Sequence, residues 1–366
     1  MSDAQRVYNF AAGPAALPLP ALEEAQRDLL CYGDAGASVM EISHRSKQFK
    51  AIIDEAKERI GRLLQAPSTH KILFIQGGAS LQFSMAPMNI LGGAGGSADY
   101  IITGSWGSKA LKEAKKEGSI QVVWDGKSDN YIRVPEAKDL QLDPNAAYVH
   151  FTSNETIQGV QFQTEPDTGG VPLVCDASSD ILSRPVALEK YGVLYAGAQK
   201  NIGPSGVALV IVREDMLERV PEGLPSMLDY KTYVDNDSLY NTPPTFGIYM
   251  IMLVMRWLEE TVGGLDKMAE INARKAKLLY DAIDQSGGFY RGHAQPEYRS
   301  KMNVTWRLPS EEAEAAFLSE ATKAGLASLK GHRSVGGIRA SIYNAMSEEG
   351  VTALRDFMVE YQRTKG

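Results

Sequence analysis

Cysteine, histidine and long apolar runs are all scarce in this chain of 366 residues. Two cysteines are too few for a disulfide framework, and this usage is typical of a reducing compartment such as the cytoplasm. The five histidines show no metal-ligand spacing, so no metal site is predicted. The longest apolar run, residues 246–255, is far shorter than the roughly 20 residues of a membrane-spanning helix. These absences argue against a disulfide-rich secreted protein, a metalloenzyme and a membrane protein.

Positive charge is also in deficit. The chain has 38 Lys and Arg against 45 Asp and Glu, a net charge of -7, so nothing attracts it generally to nucleic acid or anionic membranes. The hydrophobic share of 44% is enough for a large core and excludes disorder as the main state. At about 150 residues per domain, the length suggests two domains. Any site for an anion must therefore gather basic residues locally.

Strand-like and helix-like segments alternate over the first 212 residues. Short apolar runs end in small or polar residues, and helical patterns follow them. This rhythm is typical of an α/β fold with a mostly parallel sheet, in which ligands bind at the carboxyl ends of the strands. Strands are predicted at 71–76, 99–103, 147–152, 171–175, 193–196 and 208–212, and helices at 81–91, 110–117, 246–260 and 265–283. A change of composition suggests that a second domain begins near residue 261.

An aspartate and a lysine each follow a predicted strand. Asp176 comes directly after one strand, and Lys200 lies shortly beyond the next, with small residues beside both. A lysine in such a place can be desolvated, which favours the neutral amine that attacks carbonyl carbons. A carboxylate nearby can keep a pyridine nitrogen protonated, so this pair predicts a pyridoxal phosphate site. A plain charge pair at the edge of the sheet is the alternative.

Two more features fit the same cofactor. The run Gly77-Gly78-Ala79-Ser80 leads from a strand into a helix and offers backbone N–H groups and the positive end of a helix dipole to a phosphate. Trp106 follows the next strand, where its ring could stack on the cofactor, although packing in the core is the alternative. Together they predict a phosphate cradle and a ring platform.

Eight segments carry a resemblance to one known family. They are residues 8–15, 40–46, 77–80, 104–106, 153–160, 176–180, 197–201 and 331–344. Over these segments, and nearly the whole chain, the sequence resembles the phosphoserine aminotransferases, pyridoxal phosphate enzymes of the class V group. The resemblance implies fold type I architecture, with a large domain at 16–260 built on a mostly parallel, seven-stranded sheet. A smaller α+β domain would consist of residues 1–15 and 261–366.

The resemblance also implies an activity and partners. The reaction would be the reversible transamination of 3-phosphohydroxypyruvate with L-glutamate in serine biosynthesis, which gives O-phospho-L-serine and 2-oxoglutarate. The phosphorylated hydroxythreonine of pyridoxine biosynthesis would be a further substrate. The protein would be a cytoplasmic homodimer with shared active sites and would bind neither nucleic acid nor membranes.

Residue roles on the cofactor side follow from the matched motifs. Lys200 would bind the cofactor covalently and move the proton at the substrate Cα, and Asp176 would pair with the pyridine nitrogen. Trp106 would stack on the ring, and Thr156 would reach its hydroxyl group. The groups implied to hold the phosphate are Ala79, Ser80 and Gln199, with Asn241 and Thr242 from the second subunit.

The substrate carries a carboxylate and a phosphate, and the implied ligands are cationic. Arg339 would bind the α-carboxylate with its planar fork of donors. The substrate phosphate or the glutamate side chain would be bound by His44, Arg45, His332 and Arg333, the first two reaching across the dimer. Some relatives have an arginine where Ser80 stands, so one positive charge of those relatives is missing here.

Three other functions compete with this one. Another class V enzyme, such as an alanine–glyoxylate aminotransferase, would share most of the motifs. A desulfurase would need a mobile catalytic cysteine, but Cys175 lies within a predicted strand and Cys31 lies far upstream. A binding protein without catalysis would have no need of Lys200, Asp176 and Arg339 together. The transaminase is therefore the function that the sequence favours.

Overall fold

The computed structural model describes residues 6–91 and 96–366. The strands are β1 Tyr8–Asn9, β2 His70–Gln76, β3 Ser97–Ile102, β4 Ser119–Asp125, β5 Val149–Thr152, β6 Asn154–Glu155, β7 Val160–Gln161, β8 Leu173–Asp176, β9 Tyr191–Gly197, β10 Val207–Arg213, β11 Arg291–Gly292, β12 Asn303–Arg307, β13 Leu326–Ala327 and β14 Ile338–Ser341. The helices are α1 Leu19–Asp28, α2 Lys47–Leu63, α3 Gly78–Ile90, α4 Ser105–Ala114, α5 Glu214–Leu217, α6 Tyr230–Asp235, α7 Thr245–Arg256, α8 Leu265–Asp284, α9 Glu311–Lys323 and α10 Glu348–Lys365.

A seven-stranded sheet forms the centre of the fold, in the order β2-β10-β9-β8-β5-β3-β4. Only β10 runs antiparallel to its two neighbours, and the other strands run in one direction. The α/β class and the mostly parallel sheet predicted from the sequence are thereby confirmed. The carboxyl ends of six strands consequently meet at one edge of the sheet.

Both faces of this sheet are buried away from its β4 edge, which explains why its inner strands are mostly apolar rather than alternating. In β9, Leu194 and Ala196 pack into one hydrophobic cluster with α2 and α7, while Val193 and Tyr195 pack into another cluster on the opposite face with α3 and α4. The strongly apolar α7 is accordingly buried along most of its length. Two helical layers therefore fix the sheet rigidly beneath the loops at its carboxyl edge.

A second, three-stranded sheet has the order β11-β12-β14 and lies with α8, α9 and α10 around a third hydrophobic cluster. Phe10, close to the N-terminus, belongs to this cluster, and β1 pairs with β13. The division into domains at 16–260 and at 1–15 with 261–366 stays a prediction, and residues 1–5 and 92–95 of it lie outside the described residues.

Two local predictions needed correction. The strand β4 was not predicted, because it lies at the sheet edge, is half exposed and carries polar residues. The helix predicted at 110–117 begins earlier, at Ser105, because side chains from another segment bind its first N–H groups. None of the helices within 6–91 and 96–366 has the length and apolar character that crossing a bilayer requires.

Candidate active site

Five loops at the carboxyl edge of the large sheet hold the chemically active groups. They follow β2, β3, β5, β8 and β9, and all of them except the loop after β5 line a cavity of about 380 Å³. The cavity wall includes Ala79, Ser80, Trp106, Asp176, Gln199 and Lys200. Six residues that the sequence implicates in cofactor binding thus lie around one cavity.

Lys200 lies three residues beyond the end of β9. Its Nζ donates a hydrogen bond to Thr156 Oγ1 at 2.8 Å and lies 5.1 Å from the centre of the Trp106 ring. Burial lowers the pKa of this amine, and the negative charges of Asp176 and Glu155 oppose the shift. The surroundings therefore favour the neutral, nucleophilic form of the lysine more than water does.

Asp176 ends β8, which pairs directly with β9. Its Oδ1 accepts hydrogen bonds from the backbone N–H of Ser178 at 3.0 Å and from the Ser178 hydroxyl at 2.6 Å. No hydrogen bond within the described residues uses Oδ2, so this oxygen is available to a donor in the cavity. Burial raises the pKa of the carboxyl group, whereas the charge of Lys200 lowers it.

The helix α3 begins at the cavity without a side-chain cap. Gly77 and Gly78 adopt φ angles of 90° and 65°, which glycine tolerates and which turn the chain sharply from β2 into the helix. The free N–H groups and the helix dipole at this point favour an anion. The phosphate cradle predicted here therefore has the right local geometry.

Glu155 is a buried carboxylate beside the site to which sequence reasoning gave no role. Its two oxygens accept hydrogen bonds from the backbone N–H groups of Trp106 at 3.0 Å and Gly107 at 2.8 Å. Burial raises its pKa to about 7, and those two N–H groups oppose the rise. The signal was its position inside the segment 153–160, next to Thr156.

A second cavity of about 330 Å³ lies between the segment Ile157–Gln158 and the loop 331–337, and His332 and Arg339 line it. Arg339 forms no ion pair with any carboxylate of the described residues, although its Nε is buried. Burial lowers the pKa of its guanidinium, and burial, with the charges of Arg339, Lys109 and Arg333, lowers the pKa of His332. A partly buried, unpaired arginine is a good receptor for a carboxylate.

The remaining predicted residues lie outside the walls of both cavities. Arg333 is exposed on the loop 331–337. His44 Nδ1 and Thr242 Oγ1 lie 3.3 Å apart, so these two segments form a single cluster with their neighbours Arg45 and Asn241. One protomer therefore brings together the groups around Lys200 but does not add this cluster to them.

The first cavity fits pyridoxal 5′-phosphate group by group. A partly desolvated lysine is available for the aldehyde, a carboxylate oxygen for the pyridine nitrogen, an aromatic ring for the face and an uncapped helix N-terminus for the phosphate. Among the described residues, no group of three or more metal-ligating side chains is present. The groups around the first cavity are therefore hydrogen-bond donors, acceptors and a nucleophile that suit pyridoxal 5′-phosphate.

The comparisons with known proteins agree with this site. The model of the aminotransferase class-V family matches residues 7–354. The chain is 59% identical over 99% of both sequences to the phosphoserine aminotransferase of Desulfosudis oleivorans and 56% identical to that of Niallia circulans, again over 99% of both. The solved phosphoserine aminotransferase of Bacillus circulans subsp. alkalophilus superimposes with a TM-score of 0.96 at 55% identity, over 99% of both chains. The chain belongs to the class V aminotransferases.

Proposed function

We propose that this chain catalyses the reversible transamination of 3-phosphohydroxypyruvate with L-glutamate, which gives O-phospho-L-serine and 2-oxoglutarate. The observation that carries the proposal is the identity of 59% over 99% of both chains to a phosphoserine aminotransferase, combined with a lysine and an aspartate in one cavity. The same relatives favour phosphoserine over the substrates of an alanine–glyoxylate enzyme.

Pyridoxal 5′-phosphate is the cofactor, and it supplies an electron sink for the negative charge that develops at the substrate Cα. Lys200 would hold its aldehyde end, and the amine of this residue would carry the proton to and from Cα. Asp176 would keep a proton on the pyridine nitrogen through Oδ2, while Ser178 fixes the other oxygen. Thr156 orients Lys200 Nζ through the hydrogen bond of 2.8 Å.

Arg339 would bind the α-carboxylate of either amino acid, because its guanidinium has no competing carboxylate among the described residues. His332 and Arg333 would bind the phosphate or the glutamate carboxylate beyond it. Burial lowers the pKa of His332, and the charges of Arg339, Lys109 and Arg333 lower it further, so positive charge gathers here in a protein of net charge -7. The phosphorylated hydroxythreonine presents the same groups and belongs to this proposal.

A homodimer with shared sites is part of the proposal. His44, Arg45, Asn241 and Thr242 do not line either cavity of their own protomer, so a partner copy would have to deliver them. Apolar side chains close to these residues in the sequence support an interface, since Met40 and Tyr240 are 59% and 50% exposed. The two cysteines are both free thiols, which is consistent with the proposed cytoplasmic localisation.

The decisive experiment compares O-phospho-L-serine with L-serine in a single half-reaction. Mixing the protein with each amino acid should change the visible absorption of the bound cofactor far faster with the phosphorylated one. Reduction with borohydride before the reaction should fix the cofactor to Lys200, as peptide mass spectrometry would show. Equal rates with both amino acids would refute the substrate, and a cofactor fixed to another lysine would refute the site.

A further inference from the structure

The first three N–H groups of α4 are all bound by side chains from another segment of the chain. Its N-cap residue, Gly104, has no side chain that could accept a hydrogen bond, and Trp106 is the second residue of the helix. The N–H groups of Trp106 and Gly107 are bound by the two oxygens of Glu155. Gln158 Oε1 accepts from the N–H of Ser105 at 3.3 Å, and Gln158 Nε2 donates to the Ser105 hydroxyl at 2.9 Å.

The glycines on either side of Trp106 make room for this carboxylate. A Cβ on Gly104 would lie 2.5 Å from Glu155 Cδ, which is far inside van der Waals contact. A Cβ on Gly107 would lie 3.4 Å from Glu155 Oε1, at the near edge of ordinary van der Waals contact. The segment Gly104-Ser105-Trp106-Gly107 therefore packs closely against the Glu155 side chain. The carboxylate in turn binds the backbone that positions the tryptophan.

Glu155 is also the immediate neighbour of Thr156, which binds Lys200 Nζ. Its side chain is fully buried, and the charged groups that face it are Asp176 and Lys200. A carboxylate at a helix N-terminus is stabilised by the helix dipole and by charge-assisted hydrogen bonds from backbone N–H groups. One short segment thus contacts both the proposed ring platform and the proposed nucleophile.

We propose that Glu155 is the positioning residue that fixes the Trp106 ring against the cofactor and adds a negative charge to the surroundings of Lys200. This inference rests on the proposed function, because it needs the cofactor in the first cavity. Removing the charge while keeping the shape should loosen the ring platform and make positive charge on the Lys200 nitrogen less favourable.

The test is Glu155→Gln, in which one amide oxygen can serve only one of the two N–H groups. We expect the affinity of the apoenzyme for pyridoxal 5′-phosphate to fall about tenfold or more, because a buried charge-assisted hydrogen bond is lost. The circular dichroism of the cofactor band should weaken as the ring becomes less firmly oriented. The pH midpoint of the visible absorption of the bound cofactor should move down, because the charge that favours the protonated nitrogen is gone.

Asp99→Asn is the matched control. Asp99 is also fully buried and accepts a backbone N–H, from Asp143 at 2.7 Å, but it lies near the opposite end of β3. The variant Asp99→Asn should lower the stability of the fold without changing the circular dichroism or the pH midpoint of the cofactor band. If Glu155→Gln does no more than this control, Glu155 is merely structural and the inference is wrong. If the wild-type protein itself does not bind the cofactor, the proposed function has failed instead.

Gly104→Ala is a second variant in case Glu155→Gln does not fold. The backbone at Gly104 is extended, with a φ of 172°, so alanine can adopt it. The added methyl group would lie 2.5 Å from the present position of Glu155 Cδ, so it would displace the carboxylate without removing its charge. We expect a weaker dichroism band with an unchanged pH midpoint, and an unchanged band would contradict the positioning role.

Discussion

The two halves of the candidate site are built in different ways. The cofactor side consists of Lys200, Asp176, Trp106 and Thr156 with the N-terminus of α3, and it lies on the carboxyl edge of a sheet that is buried on both faces. The substrate side consists of Arg339 with His332 and Arg333, and the last two lie on the loop 331–337, which is largely exposed. Its proposed partners His44 and Arg45 lie on another segment that does not reach either cavity.

The difference follows from what each half has to do. The cofactor stays bound through many turnovers, so its ligands benefit from being fixed in advance by strands, helix ends and hydrogen bonds. The substrates enter and leave, and two different ones would use the same place. Their proposed ligands accordingly include partly solvated cations on a loop and, in the proposed dimer, on the second subunit. The comparison predicts that changes on the cofactor side abolish chemistry, while changes on the substrate side alter affinity and selectivity.

The largest effect is expected for Asp176→Asn. An amide cannot keep a proton on the pyridine nitrogen, so the half-reaction with O-phosphoserine should slow by about 10²- to 10⁴-fold. The cofactor should still be fixed to Lys200 by borohydride, because the lysine is untouched. Stopped-flow absorption and peptide mass spectrometry measure the two quantities.

Asp180→Asn is the control for this variant. Asp180 is buried four residues further along the chain, but its oxygens are occupied by Ser153 and by Gln161, the latter at 3.1 Å. The variant Asp180→Asn should lower the free energy of unfolding but leave the rate of the half-reaction within a few-fold of the wild-type rate. Similar rate losses in both variants would mean that the cofactor side is sensitive to any buried carboxylate, and Asp176 would lose its special role.

Arg339→Lys should give the next largest effect. A lysine keeps the charge but loses the bidentate fork, so kcat/KM for O-phosphoserine should fall about 10- to 100-fold. The affinity for pyridoxal 5′-phosphate should not change, which separates the two halves of the site. Lys330→Arg, on the strand-like segment that pairs with Ile338, serves as the control with a charge retained and no proposed ligand. A parallel loss of cofactor affinity in Arg339→Lys would contradict the division.

The shared site can be tested by mixing two variants. With O-phosphoserine held far below the wild-type KM, Lys200→Ala should be inactive alone, and Arg45→Ala should be only weakly active because it binds the substrate poorly. In a mixed dimer, one site would carry both changes and the other neither, so random exchange of subunits should restore about a quarter of the wild-type activity. If both residues acted within one chain, every site would keep a defect and no activity would return.

The sequence allowed the cofactor side to be predicted better than the loops that hold it. Strand ends are visible as apolar runs that stop at polar residues, and this located Asp176 and Lys200 at or just beyond the ends of two neighbouring strands. The edge strand β4 was missed because exposure on one side removes its apolar signal. Glu155 was given no role because its partners are backbone N–H groups 48 and 49 positions away, and no residue type marks such donors.

The smallest effect is expected for a buried lysine that stabilises the turn after Arg339. Lys275 Nζ on α8 donates to the carbonyl oxygens of Ile342, Tyr343 and Met346 at 3.0, 2.7 and 2.9 Å, in the turn that follows Arg339 on β14. Lys275→Met should remove these bonds and lower the free energy of unfolding by about 1–3 kcal/mol. Chemical denaturation measures it, with the exposed Lys277→Met on the same helix as a control.

The same variant has a pH signature. Burial lowers the pKa of Lys275 to about 7, below its value in the unfolded chain, so the unfolded state binds more protons between about pH 7 and 10. The wild-type protein should therefore gain stability from this group as the pH rises through that window, and the difference in stability from Lys275→Met should grow with the pH.

The variant Lys275→Met should also hold Arg339 less firmly through the same turn. The KM for O-phosphoserine should therefore rise a few-fold while the affinity for the cofactor stays constant. A constant stability difference from about pH 7 to 9.5 would show that the lysine keeps its charge in the fold, and a change in cofactor affinity would show that the two halves of the site are not independent.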